Sequence, residues 1–108
     1  KNPHYPQTIT ITFKNEKTLS EILIYPQDNH YNRAPNQVRI NYKKNNKIWV
    51  KGDNIYNFPC LSPNSPNYSY TKIALHKPIT TTKVQIEIIN NCGDTEFLTL
   101  KGITTIQL

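Results

Sequence analysis

The sequence predicts an all-β fold of about eight strands arranged as a sandwich or jelly roll. Three observations carry it. The chain has 108 residues, enough for one small domain and too few for an eight-unit βα barrel or a two-domain cofactor enzyme. Fourteen Ile, 12 Thr and seven Tyr stand against two Ala, no Met, three Gly and eight Pro, a balance that suits pleated, half-buried surfaces better than helices. Apolar residues recur with period two in several short segments separated by polar or Pro-rich stretches.

Thr8 to Phe13 alternates cleanly, with Ile9, Ile11 and Phe13 on one face and three Thr on the other, and is predicted to be a half-buried strand. A charged turn, Lys14-Asn15-Glu16-Lys17, leads to the denser apolar run Leu19 to Tyr25, a strand covered on both faces that ends at Pro26. Gln27 to Gln37 is polar almost throughout and reads as a long connecting loop of the kind that carries function in small β domains. Val38 to Tyr42 alternates again, turns through Lys43 to Lys47 and returns as Ile48-Trp49-Val50, a β-hairpin whose lysines read as a solvated turn guarding an edge. Residues 53 to 70 contain three prolines and read as a crossing loop with a short strand around Tyr56 and Phe58. Thr71 to Leu75, Val84 to Ile89, Phe97 to Leu100 and Ile103 to Leu108 complete the expected strands. Ile9, Ile11, Phe13, Ile22, Ile24, Trp49, Val84, Ile86 and Ile88 are the expected core.

Thirteen basic and seven acidic side chains give a net charge of +6, which permits acidic partners. Nucleic-acid sites lean on Arg for bidentate contacts, and with only Arg33 and Arg39 present no nucleic-acid partner is expected. No apolar run reaches the roughly 18 residues of a membrane span. His4, His30 and His76 lie far apart without metal-ligand spacing, the three Gly form no phosphate loop, and no carboxylate pair is set by spacing, so neither catalysis nor a metal centre is expected. Cys60 and Cys92 can pair, adding roughly 3 to 4 kcal/mol on the loop-entropy model, or stand as two separate thiols. Asn67-Tyr68-Ser69 is the one N-glycosylation triplet.

The runs ITITF, LSEILIYPQDN, NRAPNQVRINYKKNNKIW, ITTTKVQIEII and FLTLKGITTIQL, in this order, resemble the coagulation factor 5/8 type C, or discoidin-like, domain, and within it carbohydrate-binding module family 32. The more specific parts are the middle block ending at Trp49 and the segment Thr82-Lys83-Val84-Gln85-Ile86. The resemblance covers nearly the whole chain, read as a single domain over 1–108. It implies a discoidin-like jelly-roll sandwich with ligands at the loops of one end, extracellular or on the cell surface.

Relatives begin with a further segment carrying a calcium-holding loop and a Trp, whereas this chain begins at the equivalent of Pro3-His4-Tyr5. The resemblance therefore implies that an opening segment comes from the parent chain or a partner. A late Glu that helps relatives hold calcium is replaced within Lys101-Gly102-Ile103, which speaks against calcium there, although Asp28 or Asp94 could serve a hard cation elsewhere. The Arg-bearing loop of relatives falls on Pro26-Gln27-Asp28-Asn29, where Arg is missing, and Arg33, Asn32 and His30 stand nearby as substitutes. The late loop that provides an aromatic falls on Asn90 to Phe97, which makes Phe97 a candidate ring or equally a core residue, with Tyr31 the alternative. The implied ligand set is thus Asp28, His30, Tyr31, Asn32, Arg33 and Phe97, and the implied ligand a galactose-type or amino-sugar glycan. A protein-interaction or adhesion domain of a larger secreted or surface protein is the alternative, and attachment to an enzyme is compatible with either.

Overall fold

The computed structural model describes residues 6–25, 31–60, 70–93 and 100–108. Among these residues six antiparallel strands share one hydrogen-bonded sheet: β1 (Gln7–Tyr25), β2 (Pro35–Lys44), β3 (Ile48–Val50), β4 (Ile55–Asn57), β5 (Thr71–Asn91) and β6 (Gly102–Gln107). The order is β3-β2-β5-β1-β6, with β4 also paired to β2.

The sheet is folded over on itself. At about 3.3 Å per residue, straight strands of 19 and 21 residues would reach about 63 and 69 Å, yet the molecule's longest dimension is 40 Å. β1 and β5 must therefore both bend. The ladder between them shows where: five steps on β1 from Thr12 to Lys17 oppose two on β5, and five steps on β5 from Ala74 to Ile79 oppose two on β1. The extra residues form irregularities of the kind that bend strands. Pro78 sits inside the second one, where its missing N–H costs no ladder bond.

Each long strand thus serves two layers. In the first layer β1 residues 7–12 and β5 residues 83–91 stand with β2, β3 and β4; in the second, β1 residues 17–25 and β5 residues 71–81 stand with β6. Val38, Ile40, Val84, Ile86 and Ile88 from the first and Leu19, Ile22, Ile24 and Ile73 from the second form one buried cluster, each 3% exposed or less. The result is a jelly-roll sandwich; Ile22, Ile24, Val84, Ile86 and Ile88 of its core were expected, and Leu19, Val38, Ile40 and Ile73 were not.

Four expectations need correction. The charged segment Lys14 to Lys17 does not separate two strands, and neither does the stretch between Leu75 and Val84; each is an irregularity inside one long strand, so that four expected strands are two. β2 begins at Pro35 inside the expected loop, with buried Pro35 at the first strand position. Ile9, Ile11 and Phe13 are half-buried, because among the described residues 7–12 pair with β5 on one side and with no strand on the other. Trp49 is 41% exposed: Tyr42 and Val50 oppose each other on the inner face, so the neighbouring pair Lys43 and Trp49 points outward. Of the expected strand at Phe97 to Leu100, all but Leu100 lies outside the described residues, as does the Asn67 triplet.

Candidate functional site

Folding β1 and β5 in half carries both ends of β1 to one end of the sandwich. Three connections gather there. The backbone N–H of Lys101, just before β6, donates to the carbonyl of Tyr25 at the end of β1 (2.6 Å), and the Tyr25 and Tyr70 rings meet with centroids 5.9 Å apart. The N–H of Cys92, just past β5, donates to the carbonyl of Ala34 (2.9 Å), and that of Phe58, just past β4, to the carbonyl of Asn36 (3.1 Å). Cys60 and Cys92 form a disulfide with their Cα atoms 5.6 Å apart, settling the pairing that sequence left open.

These links hold the last turn of the β1–β2 connection, a 3-10 turn over Tyr31–Arg33. Tyr31, Asn32 and Arg33 of the expected ligand set lie on it, Asn32 exposed and Arg33 half-buried. Asp28, His30 and Phe97 lie outside the described residues. Across from the turn, β5 ends sharply. The Asn91 side-chain oxygen accepts the N–H of Gly93 (3.0 Å), and Gly93 takes a positive φ of 109°, which glycine adopts without a side-chain clash.

A cleft away from the loop end was not foreseen. Between the edge formed by residues 50–56 and the part of β5 at residues 76–79 lies a cleft of about 250 Å³, whose walls include Tyr42, Lys51, Asp53, Tyr56, His76 and Lys77. It marks the open side of the sandwich. Tyr56 of the first layer and His76 of the second close one part of it, with ring centroids 5.1 Å apart and the His76 N–H donating to the Tyr56 hydroxyl (3.3 Å). The outer wall is held by Gly52, whose N–H donates to the Asn41 side-chain oxygen (3.0 Å) and whose Cα approaches β2 so closely that a Cβ would lie 2.3 Å from the Ile40 carbonyl oxygen. Asn41, 6% exposed, in turn donates to Gln85 and Glu87 (3.0 Å each), and Glu87 pairs with Arg39 at 3.6 Å. No local spacing announces walls whose residues meet across 11 positions, as Asn41 and Gly52 do, or 20, as Tyr56 and His76 do.

Among the described residues no three His, Cys, Asp or Glu side chains converge on a point where they could hold a metal ion. Among the same residues no helix is long and apolar enough to cross a membrane.

Known proteins of similar fold agree with this architecture. CpGH89CBM32-5 from Clostridium perfringens, solved in complex with GalNAc-beta-1,3-galactose, superposes with a TM-score of 0.73 at 12% identity over 97% of this chain and 67% of its own. The family 32 module of NanJ from C. perfringens, in complex with galactose, gives 0.71 at 16% identity over 93% of this chain and 66% of its own. The family 32 carbohydrate-binding module of EndoD from Streptococcus pneumoniae gives 0.72 at 12% identity over 96% and 71%. The chain therefore spans about two thirds of the length of these structures, and at such identities the likeness establishes the discoidin-like sandwich fold alone. No curated protein sequence matches. The model of the F5/8 type C domain matches residues 1–99, most of the chain, and the protein belongs to that family.

Proposed function

We propose that the domain is a non-catalytic carbohydrate-binding module that takes galactose-type or amino-sugar glycans at the loop end of the sandwich. The observation that carries this reading is the anchoring of the Tyr31–Arg33 turn by the Cys60–Cys92 disulfide and the Cys92-to-Ala34 hydrogen bond. A weak, shallow sugar site needs polar groups that are ordered before the ligand arrives, because it has little surplus affinity to spend on ordering them. Arg33 and His30 contact hydroxyls, Asp28 or Asn32 orients them, and Tyr31 or Phe97 supplies a ring for the apolar face of the pyranose. Two neighbours of the same fold were solved with galactose or GalNAc-beta-1,3-galactose bound, which supports that ligand class. A disulfide suits an oxidising compartment, so the domain works outside the cell or on its surface, within a larger secreted or surface protein.

One shallow site implies a Kd of about 0.1 to 1 mM. Calorimetric titration with a galactose-terminated glycan should show binding in that range, and Arg33→Ala should cost roughly 1.5 to 3 kcal/mol, enough to remove the signal. Undiminished binding by Arg33→Ala would overturn the site assignment. A glycan array with no neutral hit would favour the protein-interaction reading.

A further inference from the structure

The opposite end of the sandwich collects positive charge. The β1 irregularity carries Lys14 and Lys17, β5 passes it with Lys83, and the β2–β3 hairpin carries Lys43, Lys44 and Lys47. The register places Lys17 against Thr81 and Thr12 against Lys83. Buried Thr81 donates its hydroxyl to the Lys43 carbonyl (2.8 Å), and the side chains of Thr82 and Asn46 meet at 3.0 Å, tying the hairpin to β5. Six of the 13 basic residues therefore share one end of the molecule, and Glu16 is the sole acid on those segments. The other described carboxylates stand elsewhere: Glu21 beside Lys72 and Glu87 beside Arg39, each at 3.6 Å, and Asp53 in the cleft wall. Trp49, 41% exposed, lies in the same hairpin with the Lys43 ammonium 5.8 Å from its ring centroid. The cleft begins beside this hairpin, at Tyr42 and Val50, and continues the basic surface through Lys51 and Lys77.

We infer that this end and the adjoining cleft form a second site, separate from the loop end, that binds an anionic polysaccharide carrying carboxylate or sulfate groups. Clustered lysines draw a polyanion by long-range attraction, and an exposed indole offers a flat apolar surface for a pyranose ring. The features present favour this class over two others. The apex of the hairpin is Asn45 and Asn46, both in the left-handed conformation (φ 55° and 56°), so polar residues lead, and the exposed apolar side chains of this hairpin, Ile48 (68%) and Trp49, stand behind them on the β3 arm, where they offer a flank rather than a tip. Nucleic acid is disfavoured because Arg39 pairs with Glu87 and the basic residues gathered at this end are all Lys, where nucleic-acid sites lean on Arg.

The test is titration of the domain with a heparin-derived octasaccharide at about 50 and 300 mM salt, the range in which exposed charges become screened. Binding should weaken steeply with salt and persist in excess galactose. Replacing Lys43, Lys44 and Lys47 together by Gln should lower affinity at least about tenfold and flatten the salt dependence. Trp49→Ala should weaken binding severalfold and Trp49→Tyr restore most of it, whereas Lys72→Gln, in the second layer, should change nothing. Lys44→Glu alone, at an exposed position, provides the check should the triple variant fold poorly. Octasaccharide affinity untouched by the hairpin variants would overturn the inference, as would equal affinity for a DNA duplex of matched charge, or binding to anionic vesicles with none to the octasaccharide.

Discussion

Removing the disulfide is the most informative perturbation of the loop end, because stability and binding should change together. The bridge spans a sequence separation of 32. On the chain-entropy model, closing a loop of that length removes about 12 cal/mol/K from the unfolded ensemble, or about 3.7 kcal/mol at 25 °C. That is a large share of the roughly 5 to 15 kcal/mol that holds a domain of this kind together. Cys60 is exposed and Cys92 half-buried, so Cys60→Ser with Cys92→Ser removes little packing beyond the crosslink itself. At about 4 to 8 °C per kcal/mol for a domain of this size, the double variant should melt roughly 15 to 30 °C lower. Denaturant unfolding of the wild type with and without reductant, beside the double variant under oxidising conditions, measures the same quantity twice. The two should agree. A difference below about 1 kcal/mol between oxidised and reduced wild type would refute the entropic account and leave the Cys92-to-Ala34 hydrogen bond as the anchor.

Two further outcomes follow from the packing. Gly52→Ala should destabilise by about 1 to 3 kcal/mol, since the added methyl would meet the Ile40 carbonyl of the neighbouring strand and push the 51–54 segment off Asn41; an unchanged melting curve would show that this wall shifts freely. Thr81→Val should cost about 1 to 3 kcal/mol by leaving the part-buried Lys83 N–H without the hydroxyl that accepts it and the Lys43 carbonyl without its donor, and amide exchange at Lys83 should accelerate; unaltered exchange would contradict it.

The alternation in Thr8 to Phe13, Val38 to Tyr42 and Val84 to Ile88 was enough to read the class of fold, because period two is a local property of each segment. Of the expected core, however, only Ile22, Ile24, Val84, Ile86 and Ile88 are buried, and Leu19, Val38, Ile40 and Ile73 join them unforeseen. What was not legible depends on residues far apart in the chain. Lys14 to Lys17 looks like a turn by composition, and only the β5 ladder on either side of it makes it an interruption within one strand. Trp49 looks like core by residue type, and its exposure follows from which of two adjacent cross-strand pairs faces inward. The candidate sugar residues divide for the same reason: Tyr31, Asn32 and Arg33 are neighbours in sequence, so their shared turn could be anticipated, whereas the disulfide that anchors it joins segments 32 positions apart. The cleft walls gave no sequence signal, since Tyr56 and His76 meet only once the two layers close.

The two ends of the sandwich differ because of the way the sheet is folded. Bending β1 and β5 near their middles puts both ends of β1 and the long connections at one pole, where residues can change with little effect on the ladder. The other pole is made of bends, the end of β6 and one tight hairpin whose two arms pair with each other. Charge placed there stays at fixed spacing, since Thr81 and Thr82 clamp the hairpin against β5. A pole of that kind suits a ligand recognised by the spacing of its charges, and the loop pole suits one recognised by the directions of its hydroxyls. Neutral-glycan and polyanion binding should therefore be separable by mutation. Loop substitutions should leave the salt-dependent component intact, and hairpin substitutions should leave the galactose component intact, because no described loop-end residue belongs to the basic cluster.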